Sequence, residues 1–411
     1  MKTSLTRVAV ILTVVLLVTV SCVSPAHGEQ DAPPADPLGP LAARSVVLMI
    51  GDGLGFEHLR AGEAYRGGST LAERLPHAAR VRTENAGGGI TDSAAAGTAI
   101  ATGRKVANGV IAQARPGDGA DLATVVDSYV AGGRAFGVVT TSELTHATPA
   151  AFASHTRSRN ARREIAADYL HESRPELLAG GGGAGLDLDE AAAAGYEVHE
   201  TLAGFRRRVD RILKPGVAVT WRRESVAGNA TTSDEPAQTV RGVALRPQLL
   251  AIGTGHLPYR ADTSDRTVRP ALVDLVTEAL ELLSRDEEGF FLVVEAARID
   301  HASHANDMDR ALAETVDFLD AVHAVLDWRE ARPAGGDRDG VLVLVTSDHE
   351  TGGLTLAGEP RVGMVPDASW STGGHTSAAV PAFAAGPNAH RLRGEIENTD
   401  LYALMMGDVL E

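Results

Sequence analysis

The chain reads as an α/β protein, a three-layer sandwich with a mostly parallel central sheet, helices on both faces, and an active site at the C-terminal edge of the strands. Three observations predict this. Short apolar runs alternate with helical patterns along most of the chain. The runs are apolar at consecutive positions rather than alternate ones, as in strands buried on both faces. Carboxylates and imidazoles follow those runs, and open parallel sheets bind ligands beyond the carboxyl ends of their strands.

Taken in order, Lys2 and Arg7 precede "VAVILTVVLLVTV" at Val8–Val20, an apolar segment too short to span a bilayer comfortably. That is an export signal, and two cleavage readings stand. "AHG" at Ala26–Gly28 is a small-x-small site that ends a signal at residue 28. "TVSC" at Thr19–Cys22 fits a lipoprotein signal with Cys22 lipidated, and that lipid would be the one membrane attachment. Residues 29–43 are a Pro/Ala-rich tether, and 44–411 form a single catalytic domain. Cys22 is the sole cysteine, so an exported, secreted or cell-envelope product carries no intramolecular disulfide.

Within the domain, "SVVLMI" (45–50), "AFGVVT" (135–140), "FFLVVE" (290–295), "VLVLVT" (341–346) and "VPAFAAG" (380–386) read as strands, with helices over 271–283 and 308–328. Residues 178–260 are less regular and read as an elaborated connection. Its Gly180–Gly183 run lacks a following GK[ST], so it is a flexible turn and not a phosphate loop. With 44% hydrophobic and 22% charged residues, a packed core is expected and disorder is not. The net charge is −16, and losing residues 1–28 with Lys2 and Arg7 takes it to −18. Such a surface excludes nonspecific nucleic-acid binding, and an anionic substrate needs a local positive site.

The strand ends carry the chemistry. Asp52 lies in "GDGLG" after the first strand, and Glu295 ends the "FFLVVE" strand, followed by Asp300, His301 and His304 in "RIDHASH". Asp348 and His349 follow "VLVLVT", and His375 stands just before "VPAFAAG". Each residue alone fits a turn, a cap or a solvated histidine. Together they form an oxygen and nitrogen donor set without thiolate, the mixture zinc favours, and their number suggests more than one ion. If 300–304 opens a helix, Asp300 and His304 share one face. "GDGLG" is GxGxG and not the GxGxxG of a dinucleotide loop. In "TDSAAAGTA", Asp92 and Ser93 start an alanine-rich helix, as ordinary caps do.

These motifs, from "VVLMIGDGLG" to "VPAFAAGPNA", resemble the alkaline phosphatase family over most of the chain and in the family's order. The resemblance implies hydrolysis of phosphate monoesters through a phosphoserine on Ser93, outside the cytoplasm, with two zinc ions and a third metal. It makes Asp92 an orienter of the active-site arginine, and in "THATPAAFASHTRSR" it places Arg159, rather than Arg157, at the phosphate. Asp52, Glu295 and Thr148 resemble ligands of the third metal, Asp52 also reaching the second zinc. Asp300, His304 and His375 resemble the first zinc site, and Asp348, His349 and Ser93 the second. His146 and His301 stand where the enteric bacterial pattern has aspartate and lysine. His146 therefore leaves the third ion open between Mg²⁺ and Zn²⁺ or Co²⁺. A homodimer is implied by the family alone. The alternatives are a phosphodiesterase or sulfatase on the same scaffold, and a nonenzymatic exported phosphate- or metal-binding protein.

Overall fold

The computed structural model describes residues 43–213, 218–221, 242–334 and 339–408. The export signal, Cys22 and residues 29–42 of the tether lie outside the described residues. No described helix is long and apolar enough to cross a membrane.

Ten strands form the central sheet: β1 (Ser45–Gly51), β2 (His77–Arg82), β3 (Ala135–Glu143), β4 (Leu177–Gly181), β5 (Glu197–His199), β6 (Gln248–Ile252), β7 (Phe290–Ala296), β8 (Val341–Thr346), β9 (Val380–Ala385) and β10 (Arg393–Glu397). Their order across the sheet is β10-β2-β9-β8-β1-β7-β3-β4-β6-β5. All neighbours are parallel except at β9, which runs antiparallel to both β8 and β2. The predicted α/β fold is therefore the observed one, and the consecutive apolar runs mark the strands buried on both faces.

Strand β1 lies near the middle and every residue in it is buried. Val46, Leu48 and Ile50 point into one core, Val47 and Met49 into the other. Removing a side chain of that size from water contributes about 1.5–3 kcal/mol, so the central strands anchor the sheet. One face is covered by α4 (Leu272–Leu283) and α6 (Met308–Glu330), which supply Leu275, Phe318 and Val322. The other is covered in part by α2 (Ser93–Thr102) and α3 (Ala147–Ala150). The short helices α1 (Phe56–Arg66) and α5 (Arg298–His304) follow β1 and β7. Helix α2 is small-residue-rich because α3 crosses it closely: a Cβ at Gly97 would stand 3.0 Å from Ala151 Cβ.

Two expectations need correction. Residues 178–260 are not merely an irregular connection, because they complete β4 and supply β5 and β6, which widen the sheet on one side. Nor is Gly180–Gly183 a flexible turn: Gly180 and Gly181 are the last residues of β4. Glycine is required there by close approach, since a Cβ at Gly181 would lie 2.0 Å from Gly255 O in the loop after β6. The polar part of that region at 222–241 lies outside the described residues.

A buried ionic group joins the segment before α4 to α6. Arg269, fully buried, donates from Nη2 to Glu314 Oε2 at 3.0 Å and Asp317 Oδ2 at 2.9 Å, and from Nε to Pro258 O at 2.8 Å. Backbone N–H groups of Arg260 and Leu272 donate to Glu314 Oε1 and Asp317 Oδ2.

Candidate active site

The four central strands β8, β1, β7 and β3 end at one edge, and the chemistry-bearing residues gather there. Asp52 follows β1. Glu295 is the penultimate residue of β7, in register with Ile50 and Thr140. Asp348 and His349 follow β8. Helix α5 carries Asp300 and His304 one turn apart, as its spacing predicted. His375 precedes its strand rather than following it because β9 is reversed. It is held by a two-stranded ribbon in which Thr351 pairs with His375.

Hydrogen-bond partners fix the imidazole tautomers. Carbonyl oxygens only accept, so His304 Nδ1 donates to Gly373 O at 2.8 Å and His375 Nδ1 donates to Thr91 O at 2.8 Å. In the neutral rings both Nε2 atoms then carry bare lone pairs, and they face each other at 3.1 Å. Asp300 Oδ1 stands 3.3 Å from His304 Nε2 and 3.6 Å from His375 Nε2. Three electron-rich atoms in mutual contact need a cation between them. Two donors on one tetrahedral zinc stand about 3.3 Å apart, which these separations match.

His349 repeats the pattern. Thr351 Oγ1 donates to Asp300 Oδ1 at 2.6 Å and so accepts from His349 Nδ1 at 3.3 Å. That leaves His349 Nε2 bare, 3.2 Å from Ser93 Oγ, 3.2 Å from Asp348 Oδ2 and 3.6 Å from Asp52 Oδ1. Asp348 Oδ1 already accepts from the Gly53 and His349 N–H groups, so Oδ2 is the free ligand atom. In a serine–histidine–aspartate triad the acid stands behind the imidazole, on Nδ1. Here the carboxylates stand on the Nε2 side with the serine, which is a metal-site arrangement.

The third group is Asp52, Glu295 and His146, whose donor atoms lie within 4.8 Å of one another. Arg159 Nη2 approaches His146 Nε2 at 3.4 Å and can only donate, so His146 Nδ1 carries the proton and donates to Glu295 Oε1 at 3.3 Å. Thr140 Oγ1 donates to Glu295 Oε2 at 2.5 Å. Thr148 lies in α3 with a buried Oγ1 turned toward Glu295. Both oxygens of Asp52 and Oδ2 of Asp348 are buried without a hydrogen-bond partner. Buried polar atoms left without partners are costly, so these are sites for an ion.

The electrostatics agree. Burial, then repulsion from Asp348, Asp300 and Glu295, pushes the Asp52 carboxyl well above the usual range. Burial raises Asp348 as well. Burial also pushes Glu295 up, but the His146 and Thr140 contacts outweigh it and hold it below its ordinary value. Burial, with the neighbouring His375, keeps His349 far below the ordinary imidazole range.

Ser93 is the first residue of α2 and is buried, with its N-cap supplied by Asp92. Asp92 Oδ1 accepts from Ala95 N at 3.0 Å, and Oδ2 accepts from Gly109 N at 3.0 Å and from Arg159 Nη1 at 3.1 Å. The capping reading thus belongs to Asp92, which frees Ser93 to face His349. His301 stands farther out, its ring 5.6 Å from that of His146, and burial drives it down to about 2. All thirteen residues singled out in the sequence come to this one edge. Thr140, Thr351 and His256 were missed; Thr140 ends the "AFGVVT" strand and Thr351 lies inside "SDHETGG", so both adjoin motifs that could have signalled them, while His256 adjoins none.

The alkaline phosphatase family model matches residues 43–369. The chain is 27% identical to alkaline phosphatase 3 of Bacillus subtilis over 87% of each protein. It is 31% identical to streptomycin-6-phosphate phosphatase of Streptomyces griseus, covering 89% of this chain and 90% of that one. The structure of alkaline phosphatase from the Antarctic bacterium TAB5 superposes with a TM-score of 0.68 at 27% identity, covering 89% of this chain and 97% of that one. A variant of that enzyme with magnesium in its M3 site gives 0.69 at 26% identity over the same shares. With the family model spanning most of its length, this chain belongs to the alkaline phosphatase family and is a phosphomonoester hydrolase with metal sites.

Proposed function

We propose that the enzyme hydrolyses phosphate monoesters through a phosphoserine on Ser93, with zinc in the first two clusters and a third divalent ion beside them. The observation that carries this is the pair of Nε2 atoms of His304 and His375, which face each other at 3.1 Å with Asp300 Oδ1 within 3.6 Å of both. Asp300, His304 and His375 would hold the first zinc, and Asp52, Asp348, His349 and Ser93 the second. Asp52, Glu295 and Thr148 would hold the third ion, with His146 against Glu295. That imidazole lets zinc or cobalt compete with magnesium there. Zinc at these positions supplies Lewis acidity, which lowers the pKa of a bound hydroxyl and neutralises charge on the phosphoryl and leaving oxygens.

The residues do the rest. Ser93 Oγ gives up its proton to solvent and attacks phosphorus, the P–O bond to the alcohol breaks, and the departing alkoxide takes a proton from water. Arg159 holds two non-bridging oxygens in its planar fork, and Asp92 fixes that fork through Nη1. The N-terminus of α2 points its free N–H groups at the developing charge. Water then attacks the phosphoserine from the vacated side, releasing phosphate and restoring Ser93. Two displacements give net retention at phosphorus.

The test is metal analysis of the purified protein together with turnover of p-nitrophenyl phosphate, bis-p-nitrophenyl phosphate, p-nitrophenyl sulfate and streptomycin-6-phosphate, with and without chelator. Expected are two zinc ions per chain and monoester turnover lost on chelation and restored by zinc. Monoester turnover that survives chelation sinks the metal mechanism, and a preference for the diester favours the phosphodiesterase reading. The first twenty-eight residues fit export, with or without a lipid on Cys22. Intact mass of the mature N-terminus decides between them, and sedimentation decides whether the enzyme is the homodimer its family suggests.

A further inference from the structure

The loop after β6 brings a third imidazole to the two already described. His256 lies 4.6 Å from the His301 ring and 6.0 Å from the His146 ring, centroid to centroid. The loop that carries it has little freedom. Gly255 O sits where a Cβ at Gly181 would be, and the next residue, Leu257, donates its N–H to Thr141 O at 3.0 Å.

The tautomer of His256 follows from its partners. Glu143 N–H donates to His256 Nδ1 at 3.4 Å, and Ser142 Oγ stands 2.9 Å from the same atom. Nδ1 therefore presents a lone pair, so the ring is neutral and its proton is on Nε2. His301 is locked the same way, because Arg298 Nη1 donates to its Nδ1 at 2.8 Å. Among the described residues, neither Nε2 has a hydrogen-bond partner. Two N–H donors thus stand beside His146, whose own Nε2 accepts from Arg159. A group that offers donors from Arg159, His301 and His256 suits a ligand made only of acceptors, as a phosphate dianion is.

We propose that His256 is a specificity-determining residue of this enzyme, its Nε2–H donating, beside that of His301, to a phosphoryl oxygen that Arg159 does not hold. The inference rests on the phosphomonoesterase reading above. It gives the β4–β6 side of the sheet a purpose, which is to carry a phosphate donor to the site on a clamped loop.

The experiment uses the zinc-loaded enzyme and inorganic phosphate as the probe, with binding read by calorimetry and zinc content by elemental analysis. His256→Phe keeps the ring packing and removes the donor. It should weaken phosphate binding about five- to tenfold, the scale of one hydrogen bond to an anion. KM should rise by a similar factor while kcat changes less. His256→Gln, which restores an N–H donor, should recover most of the affinity. Gly181→Ala, which displaces the loop from a distance, should resemble His256→Phe. Unchanged phosphate binding in His256→Phe overturns the proposal. So does His256→Gln binding as weakly as His256→Phe, or loss of zinc along with phosphate affinity, since either would make the ring structural. If the wild-type zinc enzyme turns over no monoester, the functional reading falls and this proposal with it. Turnover with normal binding by His256→Phe removes this proposal alone.

Discussion

Two buried charge clusters in this molecule look alike by composition and differ in one respect. Arg269, Glu314 and Asp317 form a closed set, in which the guanidinium meets both carboxylates and backbone N–H groups satisfy further oxygens. Asp52, Asp300 and Asp348, with His304, His349 and His375, form an open one. Its lone pairs face one another and several oxygens have no partner. Burial pushes up Glu314 and Asp317 too, but in that cluster Arg269 supplies the opposing charge from within the chain. Around Asp52 the neighbouring charges are mainly other carboxylates, with Arg159 a smaller counterweight. Burial of charge alone does not mark a functional site. A charge set that the chain leaves incomplete does.

The comparison can be broken most severely at Ser93. Ser93→Ala should lower p-nitrophenyl phosphate turnover on the order of 10⁴-fold and abolish trapped phosphoserine, with zinc retained by the remaining ligands. A retained burst of product would contradict the nucleophile assignment. Arg269→Met should act in the opposite sense. Leaving Glu314 and Asp317 unpaired costs about 3–5 kcal/mol in urea unfolding, while activity per folded molecule stays near wild type. A parallel loss of zinc would show that the two clusters are not independent.

Thr351→Val removes the group that holds His349 in the tautomer with Nε2 free for the proposed zinc. Zinc affinity, measured by competition with a chromogenic chelator, should fall about 10–100-fold. An unchanged affinity would mean that burial alone orients the ring. The smallest effect concerns pH. The folded-state pKa of Asp52 is raised, so between the unfolded value near 4 and the folded value the native state binds the extra proton. Its contribution to stability is present at low pH and lost as pH rises through the folded value. With metal chelated from both proteins, Asp52→Asn should therefore gain on wild type as pH rises above about 4. An advantage that shrinks with rising pH would put the sign of the shift in error.

The strand-end ligands were legible in the sequence because a buried parallel strand and the polar residues after it are contiguous. Asp52, Glu295, Asp348 and His349 needed nothing more. His375 stood on the wrong side of its strand, and only the reversal of β9 explains why it still reaches the edge. Strands β4 to β6 were hidden because Gly180 and Gly181 read as punctuation, whereas close packing against Gly255 is what requires them. His256 and Thr351 act through the tautomers they adopt or impose, and a tautomer is a property of contacts. Arg269 left no local signal at all, since its carboxylate partners lie 45 and 48 positions away.

The bond from His375 to Thr91 joins residues 284 positions apart, and it ties the last of the proposed metal ligands to the loop that precedes Ser93. The residues of the site leave the ribosome over most of the length of the chain. Asp52, Ser93, Glu295 and Asp300 emerge first, an oxygen-rich set suited to hard cations such as calcium or magnesium. His304, His349 and His375, the imidazoles proposed for the two zinc sites, all come after them. The half-made chain thus carries the proposed nucleophile without the imidazoles proposed to hold zinc, and the proposed site is complete only when nearly all of the chain has been synthesised.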